Sequence, residues 1–332
     1  MSERFERHRQ AWTQDEIQKL HRLAGKGMSL RAIAKALTRS EESTQARAKA
    51  DGLPYRRPMA TELYEKFMAL HTRDGGFVMP NAWDGLSALV LADAGFEAIA
   101  TSSAALAATL GRLDGRHAVS REEHLEHARL LVRLTGLPVN GDFEDGYGET
   151  PEEVAATVEA AVAAGLAGIG IEDTTGNPDQ PIRDFDDAVL RVRHAVAAGK
   201  GRIVITGRTD NFFLGRPDLD DTLRRLTAFA EAGADVLYAP FPPDLASVRA
   251  IVAAVAPKPV NVVVSPADKV LTVAELQQAG VKRISLGMSL YGHAIAALEQ
   301  AAKSLAAGDI ASASKGLGFP RLTELLGQGR PS

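Results

Sequence analysis

The chain holds 332 residues, 45% hydrophobic and 24% charged, the proportions of a globular protein. No apolar run of about eighteen residues occurs, which excludes a helical membrane span, and the charged opening residues 1–10 have no signal-peptide core, so a cytoplasmic location is expected. Cysteine is absent, which excludes disulfides, zinc–thiolate sites and cysteine nucleophiles.

The net charge of −4 conceals an asymmetry. Residues 1–58 carry thirteen Lys/Arg against seven Asp/Glu, and the remainder twenty-five against thirty-five. A basic head on an acidic body suggests two modules with different partners. In the head, Thr13-Gln-Asp-Glu16 fits a capping box and opens a helix with Ile17, Leu20 and Leu23 inward. A second helix follows Ser29, carrying Leu30, Ile33, Ala34 and Leu37, and a third runs from Ser40 to about Asp51, with Gly52 as its stop. Pro54 and Pro58 bracket a linker. The expected domains are a three-helix unit at 1–53, a linker and lead-in helix at 54–74, a main body at 75–310 and an extension at 311–332.

In the body, β-branched runs alternate with alanine-rich amphipathic stretches. Strands are expected at 77–80, 98–101, 138–143, 168–172, 203–208, 236–240, 260–264 and 283–286. Helices are expected at 86–94, 121–134, 151–164, 185–198, 219–232, 245–255, 273–279 and 291–305. Eight alternating pairs over about 235 residues point to a (β/α)8 TIM barrel rather than a doubly wound open sheet.

Barrel chemistry sits where strands end. The polar residues there are Asn81 and Asp84, Ser102 and Ser103, Asp142 and Glu144, Glu172 and Asp173, Arg208 and Asp210, Asn261 and Ser285. The sixth strand, ending Tyr238-Ala-Pro-Phe241, offers almost nothing. Asp142 and Glu144 stand two apart, which places both on one face of a strand. Glu172 and Asp114 come from neighbouring strands, making an all-oxygen set suited to Mg2+ or Mn2+. Arg208 is the basic group positioned for an anionic substrate. The alternative for the same residues is an ion-pair network closing the rim.

Several stretches carry a family resemblance: Val78-Met-Pro-Asn-Ala-Trp-Asp-Gly85, Leu110-Gly-Arg-Leu-Asp114, Asp142-Phe-Glu-Asp-Gly-Tyr-Gly148, Ile169-Gly-Ile-Glu-Asp173 and Gly207-Arg-Thr-Asp210. With Thr101-Ser-Ser103, Asn261-Val-Val263 and Ile284-Ser-Leu-Gly287, residues 77–292 resemble the isocitrate lyase/phosphoenolpyruvate mutase superfamily. The resemblance implies a (β/α)8 barrel assembled as a homodimer or homotetramer through an exchanged last helix. It implies Mg2+ (or Mn2+) at Asp142, Glu144 and, partly through water, Asp114 and Glu172. It places a substrate carboxylate at Ser102 and Ser103, and Arg208 on the oxyanion side. Trp83 and Asp84 would line the pocket, and Asn261 would be a polar contact. Arg208, Ser102 and Glu172 are the expected catalytic groups.

The implied activity is cleavage of a C–C or C–P bond in a small 2-oxo or 2-hydroxy carboxylate through an enolate. The Cys-bearing segment of the isocitrate and methylisocitrate lyases is replaced by Asp173-Thr-Thr-Gly-Asn-Pro-Asp-Gln-Pro-Ile-Arg183, which has no Cys, Lys or His. Oxaloacetate-like decarboxylation is therefore favoured over isocitrate or methylisocitrate cleavage.

His124 and His127, three apart on a helix, read as a solvated face. The head resembles Myb/SANT-like helix-turn-helix modules, whose third helix would present Glu41, Glu42, Gln45, Arg47 and Lys49 to DNA while Arg31, Lys35 and Arg39 contact phosphates. The alternative to a tethered enzyme is a DNA-binding regulator whose barrel senses a metabolite.

Overall fold

The structure is a computed structural model describing residues 10–25, 28, 30–53, 60–115, 117–263 and 271–328. The linker at 54–58, the Ser29 cap, Val264 and the side chains of Arg31, Glu41 and Glu42 lie outside the described residues. The chain divides into two compact units, the second beginning at Ala60.

In the first unit, α1 (Gln14–Gly25), α2 (Leu30–Leu37) and α3 (Glu41–Ala50) enclose Leu20, Ala24, Ile33, Leu37 and Ala48, with Trp12 and Leu53 at the margin. The capping box forms: Thr13 donates to Glu16 Oε2 from its backbone N (2.9 Å) and its hydroxyl (3.0 Å). The same carboxylate receives Nε and Nη2 of Arg39, each at 3.0 Å. Arg39 also donates to the Gln10 and Ala11 carbonyls, and its guanidinium lies 4.3 Å from the Trp12 ring centroid. Arg39 is buried, so the expected phosphate contact does not exist at this residue; it is a structural cation of the head.

The second unit carries eight parallel strands: β1 (Phe77–Met79), β2 (Ile99–Ala100), β3 (Val139–Asp142), β4 (Gly168–Glu172), β5 (Val204–Arg208), β6 (Val236–Tyr238), β7 (Val260–Val263) and β8 (Arg283–Ser285). From β2 to β8 each strand pairs with its sequence neighbour, β1 pairs with β8, and among the described residues β1 and β2 are joined only by the isolated bridge Asn81–Ala100. Between β1 and β2, Ala82 N donates to Ala100 O at 2.8 Å and Ala100 N to Pro80 O at 2.9 Å. Asn81 knits this seam, donating to Thr101 O (2.7 Å) and accepting from the backbone N–H groups of Leu286 and Gly287. The sheet thus curls into a nearly closed eight-stranded barrel, which the open-sheet alternative does not match.

Helix α4 (Ala60–Thr72) presses Leu63, Phe67 and Leu70 against Phe77, Met79, Ala98, Ala167, Val204 and Val236. Gly168 makes room for it: a Cβ there would lie 2.6 Å from the Phe67 ring. The outer helices are α5 (Gly85–Asp93), α6 (Ser103–Thr109), α7 (Arg121–Thr135), α8 (Pro151–Ala163), α9 (Phe185–Gly199), α10 (Leu219–Glu231), α11 (Leu245–Val255), α12 (Val273–Gln278) and α13 (Ser289–Ala306). Side-chain capping boxes at Asp84, Ser120, Thr150 and Thr272 start four of them where the strand-end loops finish. The short α6 was not expected from the sequence. Helices α14 (Ile310–Ala313) and α15 (Phe319–Gln328) follow, and α15 docks on α5.

Candidate active site

Strand β3 stops at Asp142, whose backbone N donates to Thr101 Oγ1 at 2.8 Å. Its Oδ2 accepts from the Ser103 backbone N (2.9 Å) and hydroxyl (3.0 Å), and its Oδ1 accepts from Arg208 Nη1 at 3.2 Å. Strand β4 ends one register step away, pairing Glu172 with Arg208 of β5. Glu172 Oε2 lies 2.9 Å from the same Nη1, while its Oε1 accepts from Thr174 Oγ1 at 2.7 Å. The fork of Arg208 faces Asp210, with Nε–Oδ1 at 2.7 Å and Nη2–Oδ2 at 2.9 Å. Three carboxylates therefore share one guanidinium.

The electrostatics follow from that ratio. Burial pushes the carboxyl groups of Glu172 and Asp210 up, and the Arg208 charge opposes it. Burial and the charge of Asp142 raise Asp114. Burial likewise raises Glu144, against hydrogen bonds from His117 and Tyr147. Burial is the largest cause at all four groups and neighbouring carboxylates add to it, so the rim buries more acid than its one guanidinium neutralises.

Asp142 and Glu144 do not share a strand face, as their spacing suggested. The chain leaves the extended conformation after β3, and Glu144 adopts φ +48°. Its Oε2 accepts from His117 N at 3.2 Å and its Oε1 from the Tyr147 hydroxyl at 3.0 Å. Tyr147 in turn meets His124 Nδ1 at 2.9 Å. His124 is buried and stacked 4.7 Å from Phe143, and burial lowers its pKa to about 4. The solvated-face expectation for His124 is thus overturned: the neutral ring backs Tyr147 from inside. His127 is half-buried, with both ring nitrogens screened from solvent.

Asp142, Ser103, Arg208 and Glu172 come together in direct contact, with Asp114 close enough to feel Asp142 and Arg208. Other expected residues are engaged elsewhere. Ser102 caps α6 through Ala105 N (3.3 Å), and Asp84 caps α5 through Ser87 N (2.7 Å). Trp83 lies edge-on to Tyr291 at 5.5 Å. Asn261 sits inside the barrel at 2% exposure, accepting from Arg283 Nε (3.1 Å) and donating to Ser285 Oγ (3.1 Å). Asp173 is structural, accepting from Thr209 Oγ1, Asp210 N and Arg225.

Asp210, named only as a polar strand end, belongs to the neighbourhood, as do Tyr147 and His117, to which the sequence assigned no role at the site. The Gly-Tyr-Gly block and the Arg-x-Asp spacing were the available signals. His117 holds Asp145 at 2.7 Å, and Asp145 also takes Arg183 at 2.5 Å, so the loop after β4 does bring a cation toward the rim. Among the described residues no group of three acidic or histidine side chains is arranged to hold a metal ion unaided.

The comparisons agree with the barrel fold. Residues 67–306 match the family model described as phosphoenolpyruvate phosphomutase. An oxaloacetate decarboxylase from Paraburkholderia xenovorans is 29% identical over 260 residues, 76% of this chain and 85% of its own length. A Burkholderia cenocepacia crystal structure described as a lyase/mutase superposes with TM-score 0.77 at 40% identity, covering 80% of this chain and 96% of that one. Oxaloacetate acetylhydrolase with its product oxalate superposes at 0.74 with 27% identity, covering 81% and 96%. The chain belongs to the phosphoenolpyruvate phosphomutase family, within the isocitrate lyase superfamily of lyases and mutases.

Proposed function

We propose that the barrel is a divalent-metal-dependent carbon–carbon lyase for a small 2-oxo or 2-hydroxy dicarboxylate, with oxaloacetate-like decarboxylation favoured. The observation that carries this is the ring of Asp142, Glu172 and Asp210 on Arg208 at the strand ends. The donor set is all oxygen and over-charged, which fits a hard cation. Mg2+ characteristically keeps several waters and takes one or two carboxylates directly, so such a rim suits it. Asp142 and Glu144 would hold it, with Asp114 and Glu172 through water. When bound, Mg2+ or Mn2+ supplies the Lewis acidity that stabilises an enolate.

The chain's own groups do the rest. Ser103 and Arg208 fix the orientation of Asp142, and Tyr147 fixes Glu144. Arg208 adds a permanent positive charge beside the developing oxyanion, since its pKa lies well above the usual value under the pull of Asp210 and Glu172. In decarboxylation the C3–C4 bond of the acid breaks, its electron pair stays on C3 as the pyruvate enolate, CO2 leaves, and C3 then takes a proton. The loop after β4 has no Cys, Lys or His to act as the strong acid that a retro-aldol cleavage requires.

The test is NMR of the full chain with Mg2+ against oxaloacetate, dimethylmalate, methylisocitrate and phosphonopyruvate, with a metal-only blank. Pyruvate released above the blank, and lost with EDTA and in Glu144→Ala, is the expected result. Silence across the panel while the acids still bind overturns catalysis in favour of a sensor.

Two further readings rest on single observations. Helix α13 has no buried residue among those described and exposes Ile295, Leu298 and Leu305, consistent with pairing between copies into a homodimer or homotetramer; light scattering of Leu298→Glu tests it. In the head, α2 and α3 are joined by three residues, with Thr38 at φ +54°, as in a helix-turn-helix unit. DNA affinity of the full chain that falls with salt and with Lys49→Glu would support that reading.

A further inference from the structure

Strand β6 looked empty of chemistry, yet its loop brings an aromatic ring to the rim. Phe241 stacks on Phe213 of the β5–α10 loop, with centroids 5.7 Å apart and planes at 27°. The rings are 38% and 52% exposed. The neighbouring Phe212 packs against the hydrophobic core, so this loop sends one phenylalanine inward and leaves the next outside. Phe213 lies 6.0 Å from Arg208 Cζ and Tyr238 lies 5.3 Å from the same atom. An apolar wall therefore begins where the charged ring stops.

Both rings are held in place. Phe241 adopts φ +56°, a left-handed conformation unfavourable for a bulky residue, in the run Pro240-Phe-Pro-Pro243. The Phe213 loop is closed by Leu214 N to Asp210 O (2.9 Å) and Arg216 N to Asn211 O (2.8 Å). Asn211 is fully buried and donates to Asp221 Oδ2 at 3.0 Å. Asp210, which orients Arg208, thus also anchors Phe213. A stacked, solvent-facing aromatic pair on strained backbone beside a substrate cation marks a ligand surface.

We propose that Phe213 and Phe241 form an apolar subsite that receives an extended alkyl or aryl 3-substituent of the acid. The substrate is then a 3-substituted 2-oxo or 2-hydroxy dicarboxylate. This rests on the acid-lyase reading above. An acid bound at the strand ends, with Arg208 on its oxyanion side, extends its far carbons over the two phenyl faces. Benzyl groups gain most, because an offset third ring continues the stack.

The experiment is calorimetry of the full chain in Mg2+ with malonate, butylmalonate and benzylmalonate. The substituted acids are expected to bind about 10-fold or more tighter than malonate, from partial burial of a few CH2 or ring groups. In Phe213→Ala and Phe241→Ala the benzylmalonate-to-malonate affinity ratio is expected to fall toward one. Because the ratio is internal to each variant, a general weakening of the fold does not mimic it. If alanine abolishes all binding, Phe213→Leu and Phe241→Leu must still lower the benzyl preference relative to butyl. Equal affinities in the wild type overturn the subsite and leave the acid reading standing. So does a preference that survives both alanines. Failure of all three dicarboxylates to bind removes the acid reading and the subsite with it.

Discussion

Arg208 turns the fork of its guanidinium onto Asp210, two residues along its own chain, and offers only Nη1 to Asp142 and Glu172. A bidentate pair with a fully buried carboxylate makes Arg208 a fixed charge of the rim rather than an arm free to follow a ligand.

Asp210→Asn keeps the shape and removes the charge that aims the fork. Oxaloacetate turnover is expected to fall on the order of 100-fold, and unfolding stability by about 3 kcal/mol, the low end of the range for a broken buried pair. Arg208→Lys, which loses the fork entirely, is expected to lower turnover at least as much. The double variant should be little worse than either single, because both act on one interaction. Steady-state pyruvate release and urea unfolding check this; wild-type turnover in Asp210→Asn would refute the fixed-charge role.

A second prediction concerns the carboxylate excess. Mn2+ titrated into the full chain and followed by electron paramagnetic resonance should fill one site per chain. Asp142→Ala should weaken that site about 10- to 100-fold, and Tyr147→Phe, which frees Glu144 Oε1, by less. Metal that binds only the folded chain raises the thermal midpoint in proportion to RT ln(1 + [M]/Kd), so EDTA should lower it. No Mn2+ effect on either readout would leave the rim as an ion-pair network.

The barrel was legible because period-2 runs and alanine-rich helices alternate without interruption, and the eight strands lie within about two residues of the expected bounds. Asp142, Glu172 and Arg208 were legible because strand ends have nowhere else to point. What stayed hidden was pairing across the chain. Nothing local distinguishes Asn261 of the interior from a rim residue, since its partner Arg283 lies on the next strand. His124 looked like a surface histidine because its three-residue spacing to His127 says nothing of Tyr147, brought to it by the β3 loop. Glu144 escaped the strand rule because a positive φ follows the strand end, a property of the Phe143–Gly146 turn and not of spacing.

Beneath the site, His71 of α4 is buried against Arg283, with Nη1 3.4 Å from its Nε2. Burial and the Arg283 charge lower its pKa to about 3, against 6.5 in the unfolded chain. The unfolded chain therefore binds the proton the folded one refuses. His71 contributes its full stability above pH 6.5, and loses it as pH falls toward 3. At pH 5 the loss is roughly 2 kcal/mol. His71→Gln keeps an acceptor for Arg283 without titrating, so its unfolding free energy should fall less than the wild type's between pH 7 and pH 5. Parallel slopes in urea melts at the two pH values would remove His71 from the acid response.

Glu16 titrates with the opposite logic. The Arg39 guanidinium beside it, helped by the Thr13 donors, holds its carboxyl at about 2 against 4.5. Here the folded unit stays ionised where the unfolded chain is protonated, so the contribution is complete above pH 4.5 and disappears as pH falls toward 2. Glu16→Gln strips the charge and leaves Arg39 buried beside Trp12 without its carboxylate, which is expected to cost about 3 kcal/mol in a unit with a small core. Trp12 and Trp83 are the only tryptophans, so in a Trp83→Phe background fluorescence follows the head alone. The gap between wild type and Glu16→Gln should be widest near pH 7 and close between pH 4.5 and 2. Replacing both partners, Glu16→Leu with Arg39→Met, should recover most of the loss, since neither charge is then left buried alone. A gap that does not narrow in acid would mean that the glutamine disrupts packing, and that the Glu16–Arg39 charge pair is not what stabilises the head.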